Sequence, residues 1–119
     1  HVLPARNRLR ESGQFRAVLR GPGGSRAGGP LIVVHAAMTD PMGARAPRVG
    51  FVVSGAVGGA VVRNRVTRRL RALVAARLDG IPAGCDLVVR AVPAAATAGF
   101  ADLEAEVDRC LGRAVAKVG

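Results

Sequence analysis

A chain of 119 residues has room for one domain with a single modest core. Half of its residues are hydrophobic, which excludes wholesale disorder, and a formal charge of +10 exceeds what solubility requires and points to a polyanion, nucleic acid first. No apolar run reaches membrane-spanning length and the basic start is not followed by an apolar signal core, so the expected setting is the cytoplasm, without a membrane partner.

In chain order, residues 2–10 (VLPARNRLR) read as a basic extended lead-in. Ser12 is placed to cap a short helix running to about Arg20, with Phe15, Val18 and Leu19 on one face. Residues 21–30 (GPGGSRAGGP) cannot hold a helix and read as a loop. Residues 31–38 (LIVVHAAM) form a predicted strand, 39–47 a loop with two prolines, and 48–54 (RVGFVVS) a second strand. The closeness of these two runs in sequence predicts antiparallel neighbours. Residues 55–59 break the strand, and 60–78 give the clearest helical pattern in the chain. Gly80, Pro82 and Gly84 mark a turn, and 86–92 (DLVVRAV) is another predicted strand. Thr97 is placed to cap a last helix, whose apolar face is Phe100, Leu103, Val107, Cys110, Leu111, Ala114 and Val118. Its acids Asp102, Glu104, Glu106 and Asp108 come early, and Arg113 and Lys117 come late, which suits the helix dipole.

Cys85, Cys110, His1 and His35 show no metal-ligand spacing, so the cysteines read as small buried hydrophobes in a reducing cytosol. No metal or cofactor is expected on the chain itself. Residues 55–59 lack the Lys-Ser/Thr ending of a phosphate-binding loop, and no paired carboxylates or Cys/His pair suggest a hydrolytic centre.

Charge is unevenly placed. Residues 1–78 hold fourteen Arg against Glu11 and Asp40, whereas residues 79–119 are net acidic by two. On a helix from Ala60, the side chains of Val62, Val66, Leu70, Leu73 and Val74 share one arc. Asn64, Arg65, Arg68, Arg69 and Arg71 share the other, with Arg63 at the margin. A solvated basic face would ordinarily suffice as the reading. Here, however, no acid lies between Asp40 and Asp79, so these arginines have no i,i+3 or i,i+4 partner and repel one another. They also crowd toward the helix N-terminus, where the macrodipole disfavours cations. A polyanion would complete the arrangement. Duplex DNA is not the expected one, because the helix follows a strand and no second helix precedes it at a short turn.

Residues 49–71, VGFVVSGAVGGAVVRNRVTRRLR, resemble the signature of the bacterial ribonuclease P protein family, whose hallmark is an Arg-Asn-Arg helix after a Gly-containing loop. ARNRLRESGQF at 5–15 is similar to the family's basic lead-in and first-helix Phe, and residues 86–114 to its last strand and closing helix. Gly55, Gly59 and Thr67 depart from the family pattern, standing where a basic residue, Asn and Lys are common, and Leu19 stands where a second cleft aromatic is common. The resemblance implies an α+β fold: a single αβββαβα domain over 1–119, with a four-stranded mixed sheet, helices packed on it and a left-handed βαβ crossover. It therefore also implies a short strand hidden near residues 24–28.

In function, the resemblance implies the protein subunit of an endoribonuclease that removes the 5′ leader from precursor tRNA. Catalysis would belong to a large RNA subunit with bound magnesium, and no catalytic residue to this chain. The expected partners are ribonuclease P RNA and precursor tRNA. By position, Arg63, Asn64, Arg65, Arg68, Arg69 and Arg71 would contact RNA, and Phe15, with Arg8, Phe51 and His35 behind it, would contact the leader. Phe51 reads equally well as a core side chain, and His35 as a half-exposed strand histidine. The alternative function is a general RNA-binding protein or chaperone of structured RNA.

Overall fold

Near-continuous apolar runs build the two inner strands of four, β1 (Ser25–Gly28), β2 (Ile32–Met38), β3 (Arg48–Val52) and β4 (Cys85–Ala91), in a computed structural model that describes residues 3–21 and 24–118. They form one mixed sheet in the order β1-β2-β4-β3. β2 runs antiparallel to β4, from Ile32 opposite Ala91 to Met38 opposite Cys85. β3 runs parallel to β4, from Arg48 opposite Asp86 to Val52 opposite Arg90. The expected antiparallel pairing of β2 with β3 is therefore wrong. Every residue of β4 except Arg90 is buried, so β4 takes the central place and separates them. β1 lies inside the stretch expected to be a loop, antiparallel to β2, and Ala27 is its one buried residue. Pro22 and Gly23 of that predicted loop lie outside the described residues, as do His1 and Val2 of the lead-in.

Three helices complete the fold: α1 (Ser12–Arg20), α2 (Ala60–Ala75) and α3 (Phe100–Lys117). α1 is capped by Glu11 rather than Ser12, and Gln14 Oε1 accepts from the Arg10 and Glu11 N–H groups at 2.9 and 3.1 Å. α2 ends three residues before the expected limit, and a 3-10 turn at Leu78–Gly80 follows. Thr97 does not cap α3. It closes a 3-10 turn at Pro93–Ala96, and Gly99 is the cap. The lead-in is not wholly extended either: Ala5–Asn7 make a 3-10 turn before Arg8 bridges to Val49 in parallel.

The sheet has two unequal faces. On the larger core side, Ile32, Val34, Leu87 and Val89 meet Val66, Leu70 and Val74 of α2 and Leu103, Val107 and Cys110 of α3. On the other, Val18 of α1 meets Leu9, Ala37 and Val88, with Phe15 and Val52 at the margin. Both cysteines are buried, and burial pushes the Cys85 thiol up to about 11. Phe100, assigned above to the apolar face of α3, occupies the first helical position and is 46% exposed.

Four acids organise the basic residues that belong to the scaffold. Asp86, 1% exposed, accepts from Arg48 at 2.7 and 2.9 Å, from Thr39 at 2.8 Å and from Arg45 at 3.4 Å, pinning the 39–47 loop to β4. Arg77 is held by Glu104 and Asp108, joining the end of α2 to α3. Glu106 was expected to serve only the helix dipole. It is buried, accepts the Leu31 N–H at 2.8 Å and pairs with Arg109.

Candidate nucleic-acid interface

α2 is amphipathic as its spacing predicts: Val66, Leu70, Leu73 and Val74 are buried, and Val62 is half-buried at the first turn. Asn64, Arg68 and Arg71 are exposed, and Arg63, Arg65 and Arg69 are half-buried. Among the described residues none of these five arginines has an acidic partner, unlike Arg45, Arg48, Arg77 and Arg109. Five unbalanced cations thus share one helix, where a polyphosphate backbone would meet several at once. Arg65 is the exception to a purely outward set: its Nη2 donates to the Ala96 carbonyl at 2.9 Å. The Nε atoms of Arg63 and Arg65 are buried without a hydrogen-bond partner.

A second surface lies where α1 crosses the smaller face of the sheet. Its cleft, about 620 Å³, is lined by Phe15, Leu19 and Val52 and by Arg10, Arg16 and Arg20. The Phe15 ring lies directly on Gly50. A Cβ there would stand 2.4 Å from two ring carbons, so the bare backbone at this position is what lets the ring reach β3. Leu19, expected to pack with Val18, is 40% exposed and forms part of the cleft wall instead.

The four expected leader contacts are not all brought together. Phe15 and His35 share the smaller sheet face; the register runs Arg26, His35, Val88, Gly50 across the strands. Phe51 packs against the larger core on the other side. Arg8 sits at the β3 edge, its Nε donating to the Leu3 carbonyl at 2.8 Å. Burial, then Arg90 and Arg26, hold the His35 imidazole below its ordinary pKa, and its Nε2 is buried with no partner. Arg10, Arg16, Arg20, Arg26 and Arg90 were not singled out from sequence. The signal was present in α1, where Arg16 and Arg20 stand four apart with no acid between them.

Among the described residues no three His, Cys, Asp or Glu side chains converge. The site offers positive charge, a shallow aromatic cleft and hydrogen-bond donors, and no described group placed to activate water. Fold and site together define a nucleic-acid-binding α+β domain.

The family model for Ribonuclease P matches residues 3–115. The "Ribonuclease P protein component" of Acidothermus cellulolyticus is 57% identical over 112 residues, covering 94% of this chain and 91% of that protein. The component of Streptomyces bikiniensis is 52% identical over 118 residues, covering 94% of each. Among solved structures, the RNase P protein of Staphylococcus aureus superposes with a TM-score of 0.79 at 23% identity, covering 94% of this chain and 96% of that one. The Thermotoga maritima protein gives 0.75 at 24% identity, covering 89% and 96%. The chain belongs to the ribonuclease P protein family. It is the protein subunit of that endoribonuclease, a partner of ribonuclease P RNA, in which the RNA carries catalysis.

Proposed function

We propose that this subunit grips ribonuclease P RNA with Arg63, Asn64, Arg65, Arg68, Arg69 and Arg71 of α2, and holds the 5′ leader of precursor tRNA in the α1 cleft against Phe15. The observation that carries this reading is the acid-free arginine face of α2 beside a cleft that is both basic and aromatic. Two RNAs brought together repel through their phosphates, and arginines facing both reduce the magnesium needed to bring them together. Magnesium belongs to the assembled particle, where it serves the RNA. The particle works in the cytoplasm, on structured RNA rather than duplex DNA. The broader alternative of a general RNA chaperone explains the charge but not the family membership.

Reconstitution with a bacterial ribonuclease P RNA tests the proposal. The protein alone should leave precursor tRNA intact, and adding it to the RNA should lower the magnesium required for 5′ maturation. An unchanged magnesium requirement, or robust cleavage by RNA-free protein, would overturn it.

A further inference from the structure

Asn7 and Asn64 are the chain's only asparagines, and each stands between two arginines. Asn64 is exposed on α2, whereas Asn7 is 4% exposed, and its Nδ2 donates to the Pro47 carbonyl at 2.7 Å, just before β3 begins. Two residues on, the Leu9 N–H donates to the Val49 carbonyl at 3.1 Å. The lead-in therefore lies along the β3 edge, with Asn7 and Leu9 buried, Arg6 and Arg10 exposed and Arg8 half-buried. An apolar side chain at position 7 would fill the same space without the cost of burying an amide. What only the amide adds is direction. A strand that slips by one residue turns its outward side chains inward, and a bond to one particular carbonyl forbids the slip.

The acceptor is held as firmly as the donor. Pro47 lies between Arg45 and Arg48, and both guanidinium groups reach the buried carboxylate of Asp86. Its hydrogen bond to Asp86, and to a lesser degree the charge of Glu11, keep the Arg48 guanidinium above its ordinary pKa, so the cap of α1 is drawn to the same point. On the other side, the Gly84 N–H donates to the Arg45 carbonyl at 2.7 Å, and the Gly84 carbonyl accepts from the Thr39 and Asp40 N–H groups at 3.0 Å. Gly84 has a φ of +82°, and a Cβ there would stand 2.0 Å from the Asp40 carbonyl oxygen, so only glycine closes this turn. Asp86 and Gly84 thus fix the Pro47 carbonyl, and Asn7 passes that position on to the lead-in.

We propose that Asn7 is a positioning residue for precursor tRNA: it locks the register of the lead-in on β3 and so fixes where Arg6 and Arg10 meet RNA phosphates, with Asp86 holding its acceptor in place. Asn7 and Asp86 are themselves too buried to touch RNA. Arg10 lines the α1 cleft, and among the described residues neither it nor Arg6 has an acidic partner. A loose lead-in would have to be ordered on binding, at a cost in entropy that comes off the affinity. Pinned in advance, its arginines meet the substrate without that loss. This rests on the reading that the α1 cleft holds the 5′ leader.

The test uses reconstituted holoenzyme carrying Asn7→Leu, which keeps the shape of the side chain and removes its donor. Asn7→Ser, too short to span to Pro47, is a second variant with the same expected losses. The KM for precursor tRNA should rise about tenfold, the low end for one hydrogen bond to a charged group, while kcat holds because the chemistry belongs to the RNA. The slope of log precursor affinity against log salt should shrink by about one, with mature tRNA and ribonuclease P RNA bound as before. In the free protein the Leu9 amide should exchange its hydrogen faster while the β4 amides keep their protection. Asp86→Asn should melt lower and lose the same preference, and the double variant should discriminate no worse than the poorer single, since both act through one bond. Should the Asn7 variants melt lower yet keep the parent's KM and slope, or weaken mature tRNA equally, Asn7 is only a packing residue and the proposal is wrong. The cleft reading survives that result if Phe15→Ala still loses its preference for precursor. Should Phe15→Ala keep its full preference with an unchanged melting temperature, the cleft reading fails and takes the proposal with it.

Discussion

His35 stands opposite Arg26 in the register and one strand pair from Arg90, with no acid among the groups that perturb it. Its folded pKa lies below the ordinary 6.5, so the unfolded chain takes up the proton first as pH falls. The stability it contributes is complete above about pH 6.5 and is lost as pH falls from there through the folded value. Thermal melts from about pH 7.5 to about pH 5.5 should therefore show a steeper decline for the parent than for His35→Gln. Parallel declines would show that the imidazole is indifferent to its two arginines. At this scale the α2 contacts were legible, because the absence of acids at helical spacing can be read directly from residues 60–78. The sorting of arginines into scaffold and free sets was not. Arg45, Arg48 and Arg77 meet their carboxylates 27 to 41 residues away, and local pattern carries no trace of such pairs.

Helices and central strands were legible because long periodic runs declare themselves. The errors fell where a neighbour decides the outcome. β1 is hidden by the glycines in and around it, since only Ala27 faces the core and the strand exists because β2 offers it an edge. β2 and β3 are near in sequence yet apart in the sheet, because the most buried strand comes later and inserts between them. The contact of α1 with β3 is equally tertiary: it depends on Gly50 lacking a side chain beneath Phe15. Gly50→Ala should drive the ring off the strand, costing about 1–2 kcal/mol through overpacking and lost burial. In reconstituted holoenzyme it should weaken precursor tRNA more than mature tRNA, because the displaced ring is a cleft wall. A variant that melts lower but treats both substrates alike would limit Phe15 to a packing role.

Over the whole molecule, the acids of the C-terminal third are largely committed to the scaffold: Asp86, Glu104, Glu106 and Asp108 pair with Arg45, Arg48, Arg77 and Arg109, and among the described residues the arginines of α1 and α2 are left without an acidic partner. That separation makes salt dependence the direct measure of the interface, and α2 supplies a matched pair to probe it. Arg68 is exposed and has no partner among the described residues, whereas Arg65 is half-buried and tied to Ala96. Sequence spacing treats the two alike; the structure does not. Arg68→Ala should leave the melting temperature unchanged or slightly raised, since like-charge repulsion is relieved. Its affinity for ribonuclease P RNA should fall, with the slope of log affinity against log salt reduced by about one. Arg65→Ala should show the same loss of slope together with about 1 kcal/mol of lost stability, because the tie between α2 and the turn before α3 goes with it. Val66→Ala is the control: it removes core packing at a residue 1% exposed, costs about 2 kcal/mol and leaves the slope unchanged. Binding across a salt series, read beside thermal melts of the three variants, separates charge from packing. If Arg65→Ala and Arg68→Ala bind with the parent's affinity and slope, the face of α2 is only solvated and the RNA lies elsewhere on the protein.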